Sequence, residues 1–188
     1  RRQIVFVLHN AISNFDYSGI DDPGYEQARR LTHHEYDNTI RDLFGGDVKA
    51  ASQFPSDLTG TSGFDNSANT LFLQPLLMER YQSAAEKVLS SAIPPKPMSI
   101  EQQNAFRLIF GDSTSDASSD AAKGILRKFQ LRAYRRPPTF DELARACHQY
   151  QTAHDSGLGF QDAVKVALNT TLISPNFLLK TESNPSTQ

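Results

Sequence analysis

The stretch Thr32-His33-His34-Glu35-Tyr36-Asp37-Asn38-Thr39-Ile40-Arg41-Asp42-Leu43-Phe44-Gly45 decides the fold, together with its counterpart Thr139-Phe140-Asp141-Glu142, which follows Tyr134-Arg135-Arg136-Pro137-Pro138. Each opens on a Thr whose hydroxyl can accept from the N–H three residues on, and each carries a Glu at that position that can reach back to the Thr N–H. The exchange satisfies two of the donors that a helix start leaves without intrahelical partners. After the first opening, Tyr36, Ile40, Leu43 and Phe44 recur at helical spacing, and Gly45-Gly46 supplies a left-handed stop. A helix is therefore predicted from about His33 to Phe44.

Working outward, four further amphipathic segments follow the same logic. Pro75 to Ser91 carries Leu77, Tyr81, Ala84, Ala85 and Val88 on one face, and a proline at its opening is tolerated because that N–H has no intrahelical acceptor. Ala121 to Arg135, closed by Pro137-Pro138, turns Ile125, Leu126, Phe129 and Ala133 inward. Phe140 to Asp155 follows, and Phe160 to Ile173 ends at Ser174-Pro175, with Asn176 to Thr181 adding one more turn. Ile93-Pro94-Pro95-Lys96-Pro97 reads as a stiff extended linker.

Two places stay open between strand and helix. Residues 1–12 alternate enough for a strand and fit a short buried helix almost as well, and Ala105 to Phe110 reads as a short strand that could pair with Ile4 to Leu8. The expected fold class is mainly α: two small helical units joined by a Pro-rich linker, with room for one short two-stranded β ribbon. The expected division is an N-terminal segment 1–24, a first helical unit 25–93, a linker 94–116 holding the short strand, a second unit 117–183 and a tail 184–188.

At 188 residues the chain can bury a sizeable core without staples. Its hydrophobic content of 38% and charged content of 21% are those of an ordinary globular protein. A formal net charge of −2 gives no global field toward nucleic acid. The longest clean apolar run near the start, Ile4 to Leu8, is far too short to span a bilayer, and no charged segment with a long apolar stretch behind it marks a signal peptide. Cys147 is the single cysteine, which excludes an internal disulfide, a Cys-x-x-Cys site and the Cys-x-x-Cys-His attachment of c-type haem.

Arg30-Leu31-Thr32 to Gly45, Phe54-Pro55, Gly63-Phe64-Asp65-Asn66 and Leu76-Leu77-Met78-Glu79-Arg80-Tyr81 resemble a domain of unknown function found in large planctomycete-type cytochrome c proteins. Residues 119–182, through Phe129 to Pro137 and Phe160 to Leu179, resemble a second domain of the same proteins. The resemblance implies neighbours: a c-type cytochrome domain or subunit and, often, a carbohydrate-binding module. It also implies export, hence a periplasmic or extracellular location. It carries over no catalytic residue. The chain departs from those proteins in having no haem motif of its own and only a short stretch between the two regions.

Three constellations are candidates for chemistry. The loop Ser56 to Thr70 is dense in hard oxygen ligands, and Asp57, Asp65, Asn66 and Asn69 could hold calcium; the plainer account has them bonding nearby backbone N–H groups, with Phe54 and Phe64 plugging the loop onto the core. Lys128, Arg132, Arg135 and Arg136 share one face at helical spacing and could dock an acidic partner; the plainer account is a solvated face whose last arginines complement a helix C-terminus. Arg135 and Arg136 could also pair with Asp141 or Glu142 across the proline turn. Among the five histidines, His33 with Asp37 is the one same-face pair worth considering for a metal. No nucleophile elbow, phosphate loop or dinucleotide fingerprint is present.

The leading expectation is a non-enzymatic interaction or docking module of an exported cytochrome-associated assembly, electron-transferring or polysaccharide-related. One alternative is an enzyme with a site between the two units, built on Asp57, Asp65, Asn66 and His34. Another is a calcium-stabilised scaffold using the same loop.

Overall fold

Thr32 and Thr139 do what their spacing asks of them. In the computed structural model, which describes residues 2–14, 28–46, 48–56, 71, 75–111 and 117–180, Thr32 Oγ1 accepts from Glu35 N at 3.2 Å while Glu35 Oε2 accepts from Thr32 N at 2.9 Å. Thr139 and Glu142 repeat the exchange at 3.3 and 2.7 Å. The helices so opened run His33–Phe44 and Phe140–Asp155.

In chain order the described elements are α1 (Arg2–Ser13), β1 (Arg29–Arg30), α2 (His33–Phe44), a 3₁₀ turn (Ala50–Gln53), α3 (Pro75–Ala92), α4 (Ile100–Phe110), α5 (Ser119–Ala133), α6 (Phe140–Asp155), α7 (Phe160–Leu172), α8 (Pro175–Leu178) and β2 (Leu179–Lys180). The chain is mainly helical, with one two-stranded antiparallel sheet among the described residues. No described helix is long and apolar enough to cross a membrane.

The chain divides into two compact units. The first contains α1, which settles residues 2–12 as helix; its Ile4, Val5, Phe6, Val7 and Ile12 are all exposed. The second, Ala28–Thr181, contains every other described element.

Within Ala28–Thr181, α5, α6 and α7 pack on one another, α3 lies against α7 and the 3₁₀ turn, and α2 touches α4 and α5. The core is aromatic at its centre. Tyr36 and Tyr81 lie 5.2 Å apart by ring centroid, Phe54 closes on Tyr81 at 4.8 Å, and Phe177 meets Tyr36 edge-on at 5.8 Å. Phe54 therefore plugs the core as its position suggests, while Phe64 lies outside the described residues.

The expected ribbon exists, but between different partners. Ala105 to Phe110 is not a strand: it is the last half of α4. The deciding signal is Ser99-Ile100-Glu101-Gln102, a third capping box in which Ser99 Oγ accepts from Gln102 N at 3.2 Å and Gln102 Oε1 accepts from Ser99 N at the same distance. Six residues of mixed apolar pattern cannot separate the two periods; the buried i,i+4 pair Ala105 and Ile109 and the ring pair Phe106–Phe110 at 4.6 Å fit the helix. The stretch expected to be a linker with a short strand thus carries a helix that packs on α2 and α3. The ribbon forms instead between β1 and β2, with Arg29 opposite Lys180 and Arg30 opposite Leu179.

Candidate functional site

The two capping boxes are extended into matching ion pairs. Arg29, three residues before Thr32, binds Glu35 through both guanidinium nitrogens, at 2.7 and 2.9 Å. Arg136, three residues before Thr139, binds Glu142 in the same bidentate way, at 2.9 and 2.6 Å. Both are Arg-x-x-Thr-x-x-Glu, and the offset lets one carboxylate cap the helix and accept a planar fork together. Hydrogen bonds from Arg29 and Arg136 hold the Glu35 and Glu142 carboxyls down at about 2, against the opposing effect of burial.

Each carboxylate has a further partner from the end of the second helical region. Asn176 Nδ2 donates to Glu142 Oε1 at 2.8 Å, and Lys180 Nζ lies 3.6 Å from Glu35 Oε1. The pairing of Arg136 with Glu142 is one of those expected across the proline turn. Arg29, Asn176 and Lys180 were not singled out from sequence. The repeated Arg-x-x-Thr-x-x-Glu offset marks Arg29 on inspection, whereas no local signal marks the other two.

The four basic residues expected to face a partner are placed differently from one another. Lys128 is exposed. Arg132 Nη2 donates to the Asp42 carbonyl near the end of α2, where a cation complements the helix C-terminus. Arg135 takes a left-handed conformation, with φ of 60°, at the turn leaving α5; partial burial lowers the pKa of its guanidinium, with the charge of Glu35 acting in the opposite sense. Arg136 is in the capping pair, and its guanidinium stands 5.7 Å over the Tyr134 ring. Two exposed apolar side chains lie within and just after this run: Leu131 at 47% and Phe140 at 86%.

Asp57, Asp65, Asn66 and Asn69 lie outside the described residues. His34 is exposed, and His33 packs its ring on Phe54 at 5.4 Å. Asp37 accepts from Ala51 N at 2.8 Å, anchoring the 3₁₀ turn to α2. Among the described residues no group of three or more His, Cys, Asp and Glu side chains converges as a metal site would require. Cys147 is half-buried, and burial pushes its thiol up, partly offset by Lys123.

One small polar niche opens between α5, α6 and α7. It is lined by Gln130, Tyr134, Glu142, Arg145, Thr170 and Thr171 among others and has a volume of about 60 Å³. Gln130 donates through Nε2 to the Glu142 carbonyl at 3.2 Å, while its buried Oε1 has no hydrogen-bond partner among the described residues. A niche of this size takes water; a metabolite-sized ligand needs on the order of 300 Å³.

The fold and this region define a mainly helical protein whose conspicuous polar groups brace helix starts. Residues 29–94 match the model of PSD3, a protein of unknown function (DUF1587), and residues 121–182 match that of PSD5, a protein of unknown function (DUF1595). The chain carries these two domains of unknown function in tandem. No curated protein matches the chain, and no solved structure does.

Proposed function

We propose that the chain is a non-enzymatic docking module of a larger exported assembly and that the face around Lys128 to Phe140 receives a partner. The observation carrying this reading is the pair Leu131 and Phe140, exposed at 47% and 86%, on either side of Arg132, Arg135 and Arg136. Large exposed apolar groups beside fixed cations are how a surface combines area burial with orientation by charge. The bracing of Arg132 and Arg136 by Asp42 and Glu142 supports the reading, because side chains already ordered lose less entropy when a partner arrives. The partner we propose is a c-type cytochrome domain or subunit, from the resemblance above, in a periplasmic or extracellular setting; a carbohydrate-binding module is the second candidate.

The test is capture from a native extract with the chain as bait, with haem staining of what is retained and metal analysis of the eluted bait. The expected result is a haem-staining partner that is lost with Leu131→Asp combined with Phe140→Asp. A chain that elutes alone and metal-free yet turns over a substrate would overturn the docking reading in favour of an enzyme. Stoichiometric calcium in the eluate would point to the Ser56 to Thr70 loop as a metal-bound scaffold.

A further inference from the structure

We infer that the two tandem domains are a single folding unit in which each is the other's obligate partner, with Ser174 to Lys180 as the latch between them. The strand that opens the first domain is paired with the strand that closes the second: Arg29 stands opposite Lys180 and Arg30 opposite Leu179. Just beyond that pair, Leu31 N donates to the Leu178 carbonyl at 2.8 Å. A two-residue ribbon has no stability of its own in water. It persists because the residues next to it, Leu31 on one side and Phe177 and Leu178 on the other, are buried.

Phe177 and Leu178, from the second domain, are fully buried, and the Phe177 ring meets Tyr36 of the first. Phe44 of the first domain packs on Phe129 of the second, with ring centroids 5.8 Å apart. The same short segment touches both ion pairs: Asn176 reaches Glu142, and Lys180 reaches Glu35. Arg132 adds a further tie by donating to the Asp42 carbonyl, ninety residues away in the chain. Without the second domain, the first would expose the edge of Tyr36 and a face of Phe44, two of the largest fully buried side chains. A stable soluble domain rarely leaves such a face open. The kind of partner that the inner surface of the first domain fits is therefore the second domain itself.

The experiment uses the full chain with a protease site inserted after Lys96, in the exposed part of the linker. After cutting, the two pieces are expected to co-elute as one species and to unfold in a single transition. Pieces that separate and each stay helical would overturn the inference. In the uncut chain, Phe177→Ala should speed amide hydrogen exchange in α2 by roughly a hundredfold, as losing a buried ring from a shared core does. Asn176→Ala, a milder change, should speed exchange in α2 and in α6 together. Acceleration confined to α7 and α8 in both variants would refute the coupling.

Discussion

Replacing Glu142 with Gln keeps the side chain's shape and leaves an oxygen to accept from Thr139 N, but removes the charge that Arg136 holds. A carboxyl kept at about 2 in place of 4.5 corresponds to roughly 3 kcal/mol for a fully shielded pair. Glu142 is buried, at 7%, but Arg136 is 45% exposed, so solvent screening cuts this to about 1.5–2 kcal/mol. For a chain of this length that is a fall in Tm of about 4–8 °C at pH 7.

The pH dependence gives a sharper check. The folded-state pKa of Glu142 lies below its unfolded value, so its contribution is complete above about pH 5 and is lost as pH falls through 4.5 toward 2. Urea unfolding followed by circular dichroism at pH 7, 5, 4 and 3 should show the gap between wild type and Glu142→Gln narrowing below pH 5, as the carboxyl of the unfolded chain takes up its proton while the folded one stays ionised. Glu35→Gln should behave in the same way, since Arg29 and Lys180 hold that carboxyl at about 2 as well. A gap that stays constant from pH 7 to pH 3, or a Glu142→Gln protein as stable as wild type at neutral pH, would refute the reasoning.

Gly45→Ala should destabilise the protein by about 1–2 kcal/mol in thermal unfolding, because φ is 75° there and an added Cβ would lie 3.1 Å from Leu108 Cδ1. Leu108 is exposed at 49% and can move aside, so most of that cost is backbone strain. Thr139→Ala removes a helix cap and should cost about 1 kcal/mol in the same measurement; no change would mean that the Arg136 and Glu142 pair holds the helix start unaided. Cys147 should react with iodoacetamide at pH 8 several-fold more slowly than a free cysteine, and denaturant should remove the difference; equal rates in the folded protein would contradict its raised pKa. Leu131→Asp with Phe140→Asp should leave stability within about 0.5 kcal/mol, since both side chains reach solvent, so any loss of partner capture would be a surface effect.

The candidate site was legible only in part. The Arg136 and Glu142 pair could be anticipated because six residues and two prolines confine it to one turn. The face of Lys128, Arg132, Arg135 and Arg136 follows from helical spacing alone, but spacing cannot say what each head group meets. Arg132 finds a carbonyl contributed by α2, and Arg136 a carboxylate of the next helix. Gln130, with one amide group on the Glu142 backbone and the other unpartnered among the described residues, carries no local mark at all: mid-helix it reads as a surface residue, and it is buried because α6 and α7 close over it.

What this sequence determined by itself is local: caps, apolar stripes and stops act over three or four residues, so the helices around Tyr36, Tyr81, Phe129 and Tyr150 could be drawn before any coordinates. At Ala105 to Phe110 the segment is too short for one period to exceed the other, and the signal that decides for a helix lies upstream, in the Ser99 and Gln102 cap. Tertiary structure alone decided that Arg29 pairs with Lys180, that Phe177 reaches Tyr36, and that one segment latches both ion pairs. Except for Asn176 with Glu142, 34 positions apart, those contacts join residues more than a hundred positions apart. Their energy comes from burying surfaces that neither stretch displays as a pattern, so only the assembled core selects them.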